Sequence, residues 1–217
     1  PKEDLNLTEN TQPAIFLVSY SIFKVIEKET NFQIKKAKFY AGHSLGEYSA
    51  LCCSEALNFE QTINLLNLRG KAMQNAVPNG EGGMLAILGS KIQDIDILLE
   101  ENYKKFQCYV ANDNSIGQIV VSGKTSSIEL LEQILKKQNI KFIRLQVSAP
   151  FHCPLMKKAT EIMKDNILST NFRKPIVDII SNVDAKPQNE TDTIKKLLIE
   201  QIEKPVRWRE SINYMIS

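Results

Sequence analysis

The residues with the clearest chemical potential lie in the stretch Gly42-His43-Ser44-Leu45-Gly46. A serine at the G-x-S-x-G spacing is typical of a nucleophile elbow, in which a short strand turns sharply into a helix and exposes the serine hydroxyl. The glycines Gly42 and Gly46 would let strand and helix approach each other. The free N–H of Leu45, at the positive end of the helix dipole, would face an oxyanion. A plain strand-to-helix turn with a capping serine is the alternative at this point.

A serine nucleophile needs a base, and the chain has two histidines. His43 directly precedes Ser44 in the predicted strand, where neighbouring side chains point to opposite faces, so it is poorly placed to reach the serine oxygen. His152 lies in the loop 148–154, where we expect the chain to return to the elbow. His152 is therefore the predicted base, and the alternative is a loop histidine that only caps the next helix.

Arg69 lies on a predicted helix that otherwise turns an apolar stripe inward. Most helical arginines are solvated. A buried arginine beside a nucleophile would instead present a planar fork to a substrate carboxylate. The helix alone leaves both interpretations open.

Capping and helix-breaking residues predict one helix before the elbow and another after it. Thr11 is predicted to cap a helix that opens around Pro13 and covers one face of a sheet. Asn58 and Gln61 have the spacing of a capping box for a second helix, and the proline and glycines of 78–83 end that helix. The two helices therefore flank the elbow in sequence.

The order of elements after this cluster is βαββαβ, which is that of a ferredoxin-like unit. An α/β pattern resumes after residue 147. We therefore predict an α/β fold in which residues 1–78 and 148–217 form a large α/β-hydrolase-like subdomain. Residues 79–147 would form a small ferredoxin-like subdomain inserted between Ser44 and His152.

The composition excludes several classes of protein. The 217 residues are 43% hydrophobic and 24% charged with a formal net charge of +2, as is typical of soluble globular proteins. Lysines and glutamates are interspersed, which argues against nucleic acid as a partner. Neither a membrane span nor a signal peptide is predicted. The cysteines lack metal-ligand spacing and are predicted to be reduced, in the cytoplasm or an organelle of bacterial origin; they are Cys52, Cys53, Cys108 and Cys153.

Further motifs extend over nearly the whole chain. They are Thr11-Gln12-Pro13-Ala14, Gly42-His43-Ser44-Leu45-Gly46-Glu47-Tyr48-Ser49-Ala50, Arg69-Gly70-Lys71, Asn112 and Asn114, Phe151-His152, and Pro205-Val206-Arg207-Trp208. Together they resemble the malonyl-CoA:acyl carrier protein transacylases and the related acyltransferase domains of fatty-acid and polyketide synthases. The combination is specific to that family.

The resemblance implies a ping-pong reaction without cofactor or metal. Ser44 would take a malonyl group from malonyl-CoA and pass it to the phosphopantetheine thiol of acyl carrier protein, supplying fatty-acid synthesis. The resemblance implies that His152 acts first as general base and then as general acid. It also implies that Arg69 binds the malonyl carboxylate and that the N–H of Leu45 forms part of the oxyanion hole. Other residues that it implies near the substrate or the histidine are Gln12, Asn112, Asn114 and Phe151, the last typical of a malonyl-type loop.

Two parts of the family's pattern are not found in this sequence. The family begins with a strand and a Gly-Gln-Gly-Ser-Gln-like loop, whose glutamine helps to form the oxyanion hole. It also continues beyond the position of Met215 with a strand and loop whose backbone carbonyl orients the histidine. Because Pro1 is not an initiator methionine, we expect the chain to be processed or part of a longer one, with these parts of the site missing.

Two other functions remain open from the sequence. A serine esterase or thioesterase would share the elbow and the histidine but would need only water as acceptor. A catalytically silent acyltransferase-like domain would serve as a docking module for carrier protein. Arg69 argues against the esterase, because a general esterase has no need for a carboxylate clamp, and the presence of both Ser44 and His152 argues against the silent domain.

Overall fold

The computed structural model describes residues 4–5, 7–31, 33–147 and 149–217. Helices and strands alternate along these residues, so the predicted α/β class is confirmed. The helices are α1 (Thr8–Glu29), α2 (Leu45–Cys53), α3 (Phe59–Gln74), α4 (Ile92–Glu101), α5 (Thr125–Lys137), α6 (Lys157–Ser169), α7 (Thr191–Gln201) and α8 (Trp208–Ile216). The strands are β1 (Phe39–Ala41), β2 (Gly82–Leu88), β3 (Cys108–Ser115), β4 (Gln118–Lys124), β5 (Lys141–Arg144), β6 (Asp178–Ile180) and β7 (Pro187–Gln188).

The first sheet brings together strands that are far apart in sequence. Its order is β1-β6-β7, with β1 parallel to β6 and β6 antiparallel to β7. Because β1 and β6 are parallel, the residues that follow them meet at the same edge of the sheet, where ligand sites of α/β folds are found. A single hydrophobic core joins this sheet to helices α1, α2, α3, α6 and α7; its fully buried members include Tyr48, Leu66, Met163, Ile179 and Leu198.

The second sheet has four antiparallel strands in the order β3-β4-β2-β5. Helices α4 and α5 pack on this sheet. A separate hydrophobic core lies between the helices and the sheet, with Leu85, Ile119 and Leu131 fully buried. The strands that begin and end this unit are neighbours, since Leu85 lies opposite Arg144. The chain therefore enters and leaves the second sheet at almost the same point.

A short contact ties the second sheet to the C-terminal part of the chain. In β3, Ala111 O accepts from Val206 N at 2.8 Å, and Asp113 N donates to Val206 O at 2.9 Å. The buried Asp113 carboxylate also accepts three hydrogen bonds of 2.7–3.0 Å from the guanidinium of Arg209 in α8. Such a bidentate ion pair is strong and directional.

The first helix differs from its prediction. Thr11 is not its cap: α1 begins at Thr8, and the Thr11 hydroxyl donates to the carbonyls of Leu5 and Leu7. Pro13 therefore lies inside the helix, where it cannot donate to the carbonyl of Glu9. Asn67 of α3 replaces that donor, because its Nδ2 lies 3.2 Å from Glu9 O. The helix packs mainly along α3 and reaches the sheet through the Phe23–Tyr40 ring contact of 5.9 Å.

The capping box predicted at the start of α3 is confirmed. The Asn58 side chain accepts from Gln61 N at 2.8 Å and Gln61 Oε1 accepts from Asn58 N at 3.0 Å, so the capping box is complete. The four cysteines are free. Among the described residues, no helix has the length and apolarity needed to span a membrane.

Candidate active site

Ser44 occupies the tight turn between β1 and α2. Its backbone has φ 54° and ψ −110°, a conformation that a residue with a side chain rarely adopts. Two amide side chains hold it there: Ser44 N donates to Asn182 Oδ1 at 2.7 Å, and Ser44 O accepts from Gln201 Nε2 at 3.1 Å. The predicted elbow is therefore present, and Ser44 is not a capping serine, since its side chain makes no capping hydrogen bond in the described structure.

The two glycines of the elbow have different roles. A Cβ on Gly42 would lie 1.9 Å from Gly46 O, whereas a Cβ on Gly46 would have nothing within 4 Å. The expectation that both positions need glycine for close approach is therefore wrong for Gly46. Only Gly42 lies against the backbone of the opposing element.

We expect Gly42→Ala to lower the free energy of unfolding by on the order of 3 kcal/mol, because the new methyl group must displace the backbone of α2. Gly46→Ala is the matched control, and it should leave stability unchanged or raise it by up to about 1 kcal/mol, since alanine favours a helix over glycine. Urea unfolding of both variants measures the difference. Equal stability of the two variants would contradict the elbow packing.

The hydroxyl of Ser44 is hydrogen-bonded to a buried histidine. His152 Nε2 lies 2.8 Å from Ser44 Oγ, and His152 Nδ1 lies 2.8 Å from the main-chain oxygen of Gln201. Because a carbonyl can only accept, the proton of a neutral ring resides on Nδ1 and Nε2 is left to accept from the serine. Burial, reinforced by the nearby charge of Arg69, lowers the pKa of His152 to about 3. The ring is thus neutral near pH 7 and has a free lone pair toward Ser44.

Gln201 was not predicted from the sequence. The backbone carbonyl that faces the histidine was expected beyond Met215, and this expectation is wrong, because Gln201 at the end of α7 supplies it. Any residue type can offer a main-chain oxygen, so composition does not reveal such a contact. The available signal was the position of Gln201, which continues at helical spacing the buried stripe of Ile194, Leu197 and Leu198 in α7.

Arg69 is buried beside Ser44, with only 1% of its surface exposed. Its Nη1 donates to Gln12 Oε1 at 2.7 Å, and its Nη2 donates to Gln201 Oε1 at 2.9 Å and to Ser44 Oγ at 3.2 Å. Burial lowers the pKa of Arg69, but an arginine remains charged at neutral pH. The site therefore holds a fixed positive charge next to the serine oxygen.

An open cavity of about 390 Å³ leads to this group. Leu45, the first residue of α2, lines this cavity together with Ser44 and Phe151. Its lining consists of Thr8, Thr11, Gln12, Ser44, Leu45, Arg69, Met73, Gln146, Val147 and Phe151. The predicted residues Gln12, Leu45 and Phe151 thus surround the same space as Ser44 and Arg69.

Asn112 and Asn114 are not among the residues that line this cavity. Asn114 Oδ1 is 2.8 Å from Nε2 of His43, whose ring also lies 5.5 Å from that of Trp208. The asparagine therefore contacts the histidine that is not paired with Ser44. Asn112 is buried in β3, where its backbone pairs with Val206. Both residues lie on the contact between the second sheet and the C-terminal segment.

No group of three or more histidine, cysteine or acidic side chains is arranged to hold a metal ion within the described parts of the chain. The arrangement at Ser44 instead combines a serine hydroxyl, a neutral imidazole oriented by a carbonyl, and a guanidinium. Such a group can carry out acyl transfer through a covalent serine ester.

Comparison with known proteins agrees with this geometry. The sequence profile of the family described as "Acyl transferase domain" matches residues 1–216. The malonyl CoA-acyl carrier protein transacylase of Haemophilus influenzae is 38% identical over 216 residues, which are 99% of this chain and 69% of that protein. The enzyme of the same name from Bacillus subtilis strain 168 is 40% identical, with 99% of this chain and 67% of the relative covered.

Solved structures match over the whole chain. The malonyl CoA-acyl carrier protein transacylase of Coxiella burnetii aligns with a TM-score of 0.95 at 39% identity, covering 100% of this chain and 68% of that one. Another match is the structure of a type II PKS acyl-carrier protein in complex with its malonyl-transacylase. It aligns with a TM-score of 0.94 at 36% identity, covering 100% of this chain and 69% of that one.

Proposed function

Because this chain belongs to the acyl transferase domain family, we propose that it transfers a malonyl group from malonyl-CoA to the phosphopantetheine thiol of acyl carrier protein. The observation that carries the proposal is the buried Arg69, whose Nη2 lies 3.2 Å from Ser44 Oγ. A carboxylate on an acyl group attached to Ser44 would meet this charge. We place the reaction in fatty-acid synthesis, in the cytoplasm or an organelle of bacterial origin.

In the first half-reaction, Ser44 Oγ attacks the thioester carbonyl of malonyl-CoA while His152 Nε2 takes the hydroxyl proton. The carbonyl oxygen of Gln201 stabilises the imidazolium that forms. The N–H of Leu45 at the start of α2 is placed to donate to the developing oxyanion. When the tetrahedral intermediate collapses, the C–S bond breaks, and the coenzyme A thiolate takes the proton from His152.

In the second half-reaction, the phosphopantetheine thiol of the carrier protein gives its proton to His152 and attacks the malonyl-serine ester. Collapse of this intermediate breaks the C–O bond, and Ser44 recovers its proton from the histidine. The neutral state of His152 at the start of each half suits this alternation, since the same nitrogen must accept and then donate.

The guanidinium of Arg69 has hydrogens left for the substrate. Each terminal nitrogen carries two, and one on each is used by Gln12 or Gln201. The remaining pair can form a fork to the malonyl carboxylate, and the hydrogen bond to Ser44 Oγ is exchanged in the process. This carboxylate clamp favours the transferase over a general esterase or thioesterase.

We also infer the subdomain arrangement that serves this site. The large subdomain, residues 1–78 and 148–217, is α/β-hydrolase-like and carries Ser44, Arg69 and His152. The small subdomain, residues 79–147, is ferredoxin-like. Its support is the element order βαββαβ and the antiparallel strand order β3-β4-β2-β5.

Incubation with malonyl-CoA is expected to add one malonyl group to the peptide that contains Ser44, because among the described residues this hydroxyl alone combines the elbow with a hydrogen-bonded histidine. Mass spectrometry of the digested protein measures the adduct, and subsequent addition of phosphopantetheinylated carrier protein should remove it. Burial raises the pKa of the Cys153 and Cys108 thiols, so they should remain unmodified. An adduct on a cysteine peptide would overturn the mechanism.

A further inference from the structure

The carboxylate of Glu47 is buried directly beneath the elbow, in the first turn of α2, with 2% of the residue exposed. Its Oε2 accepts from Gln201 Nε2 at 2.8 Å and from the backbone N–H of Asn182 at 3.0 Å. Among the described residues it forms no ion pair. A carboxylate is expensive to bury in this way, so its contacts call for a functional explanation.

Gln201 contacts Ser44, Arg69 and His152, the first two through its side chain and the third through its main-chain oxygen. Its Nε2 donates to Ser44 O, its Oε1 accepts from Arg69 Nη2, and its main-chain oxygen accepts from His152 Nδ1. An amide has a donating end and an accepting end, and a carboxylate can only accept. Glu47 therefore fixes the NH₂ end of Gln201 toward itself and the oxygen end toward Arg69.

Asn182 is the second residue that Glu47 holds. Its Oδ1 accepts from Ser44 N at 2.7 Å, and its Nδ2 donates to Gly42 O at 2.9 Å. The two residues whose side chains maintain the unusual backbone of Ser44 thus donate to the same carboxylate oxygen, Gln201 through its side-chain amide and Asn182 through its backbone N–H. Loss of that oxygen would free both at once.

We propose that Glu47 is a positioning residue for acyl transfer, which sets the orientation of the Gln201 amide and the place of Asn182 and thereby holds Ser44, His152 and Arg69 in the reactive arrangement. Glu47 does not touch the substrate. The inference rests on the proposed function, which it extends to a residue outside the cavity.

The carboxylate should decrease stability while it supports activity. Burial raises the pKa of Glu47 to about 7, and the charge of Asp184 adds to this effect. Three groups act in the opposite direction and lower the pKa: the side chain of Gln201 from α7, the backbone N–H of Asn182 and the charge of Arg69 from α3. The folded protein then binds this proton more tightly than the unfolded chain does. Stability from this group is therefore present at low pH and is lost as pH rises from about 4.5 through 7. Glu47→Gln removes that loss.

The test compares Glu47→Gln and Glu47→Leu with Glu101→Gln, an exposed control in α4 with the same change of charge. We expect kcat for Ser44 acylation to fall about 10-fold in Glu47→Gln, which keeps an accepting oxygen but loses a charge-assisted hydrogen bond. Glu47→Leu, which cannot accept, should lose on the order of 100-fold. The fall should occur with acetyl-CoA as well as malonyl-CoA, and the Tm of Glu47→Gln at pH 8 should not be lower than that of the wild type.

Three results would overturn the role of Glu47. They are wild-type kcat in Glu47→Gln with both thioesters, a loss confined to malonyl-CoA, or a loss accompanied by a lower Tm at pH 8, which would make Glu47 a structural residue only. If Glu47→Leu does not fold, Glu47→Gln decides alone. Absence of acylation in the wild type would instead refute the proposed function, so the two failures are distinguishable.

Discussion

Ser44→Ala is expected to lower kcat for malonyl transfer by about 10⁴-fold or more, because it removes the atom that carries the acyl group. His152→Ala should cause a loss of similar size, since Ser44 Oγ and His152 Nε2, 2.8 Å apart, act as one unit. The double variant should then be no slower than either single variant. Rates of transfer from radiolabelled malonyl-CoA to carrier protein measure all three.

The control for this experiment is Ser169→Ala, which changes an exposed serine at the end of α6 and should keep wild-type activity. Multiplicative losses in the double variant would mean that the serine and the histidine act independently. Transfer at more than about one hundredth of the wild-type rate by Ser44→Ala would show that the reaction does not pass through this residue.

Arg69→Ala is expected to reduce kcat/KM for malonyl-CoA by the equivalent of about 2 to 5 kcal/mol, the usual cost of truncating one partner of a buried charge pair. Acetyl-CoA has no carboxylate and should lose much less. Arg69→Lys should restore only part of the malonyl activity, because an ammonium cannot form the fork or reach Gln12 and Gln201 together. The measurement is kcat/KM for both thioesters with the wild type and both variants.

Some loss with acetyl-CoA is expected in Arg69→Ala, because Gln201 Oε1 then lacks its donor. The informative quantity is therefore the ratio of malonyl to acetyl activity, which should fall at least about 10-fold. An unchanged ratio would mean that Arg69 only supports its surroundings. The carboxylate clamp, and with it the distinction from an esterase, would then be wrong.

The parts of the site that sequence reasoning reached are those that depend on residue type. Ser44 follows from the glycine spacing, and His152 from the elimination of His43, which contacts Asn114 instead. The capping box at Asn58 follows from spacing in the same way. In each case the chemistry needs a particular side chain at a particular distance along the chain.

The contacts that escaped prediction depend on position in three dimensions. The carbonyl of Gln201 orients His152 through an atom that every residue possesses. Glu47 follows the elbow as an ordinary polar residue of a first helical turn, and only the approach of Gln201 and Asn182 makes it buried. The place of Pro13 inside α1 likewise depends on a donor from another helix, Asn67. Local patterns carry no information about such partners.

The adjacency of β2 and β5 has a consequence for how the site assembles during folding. Ser44 and His152 are 108 positions apart, and roughly half of that separation lies between Leu85 and Arg144, which are cross-strand neighbours. If the second sheet forms first, the effective length of the loop between Ser44 and His152 is about halved. The entropic cost of closing that loop then falls by about 0.6 kcal/mol. Early formation of the second sheet would thus shorten the search by which Ser44 and His152 come together.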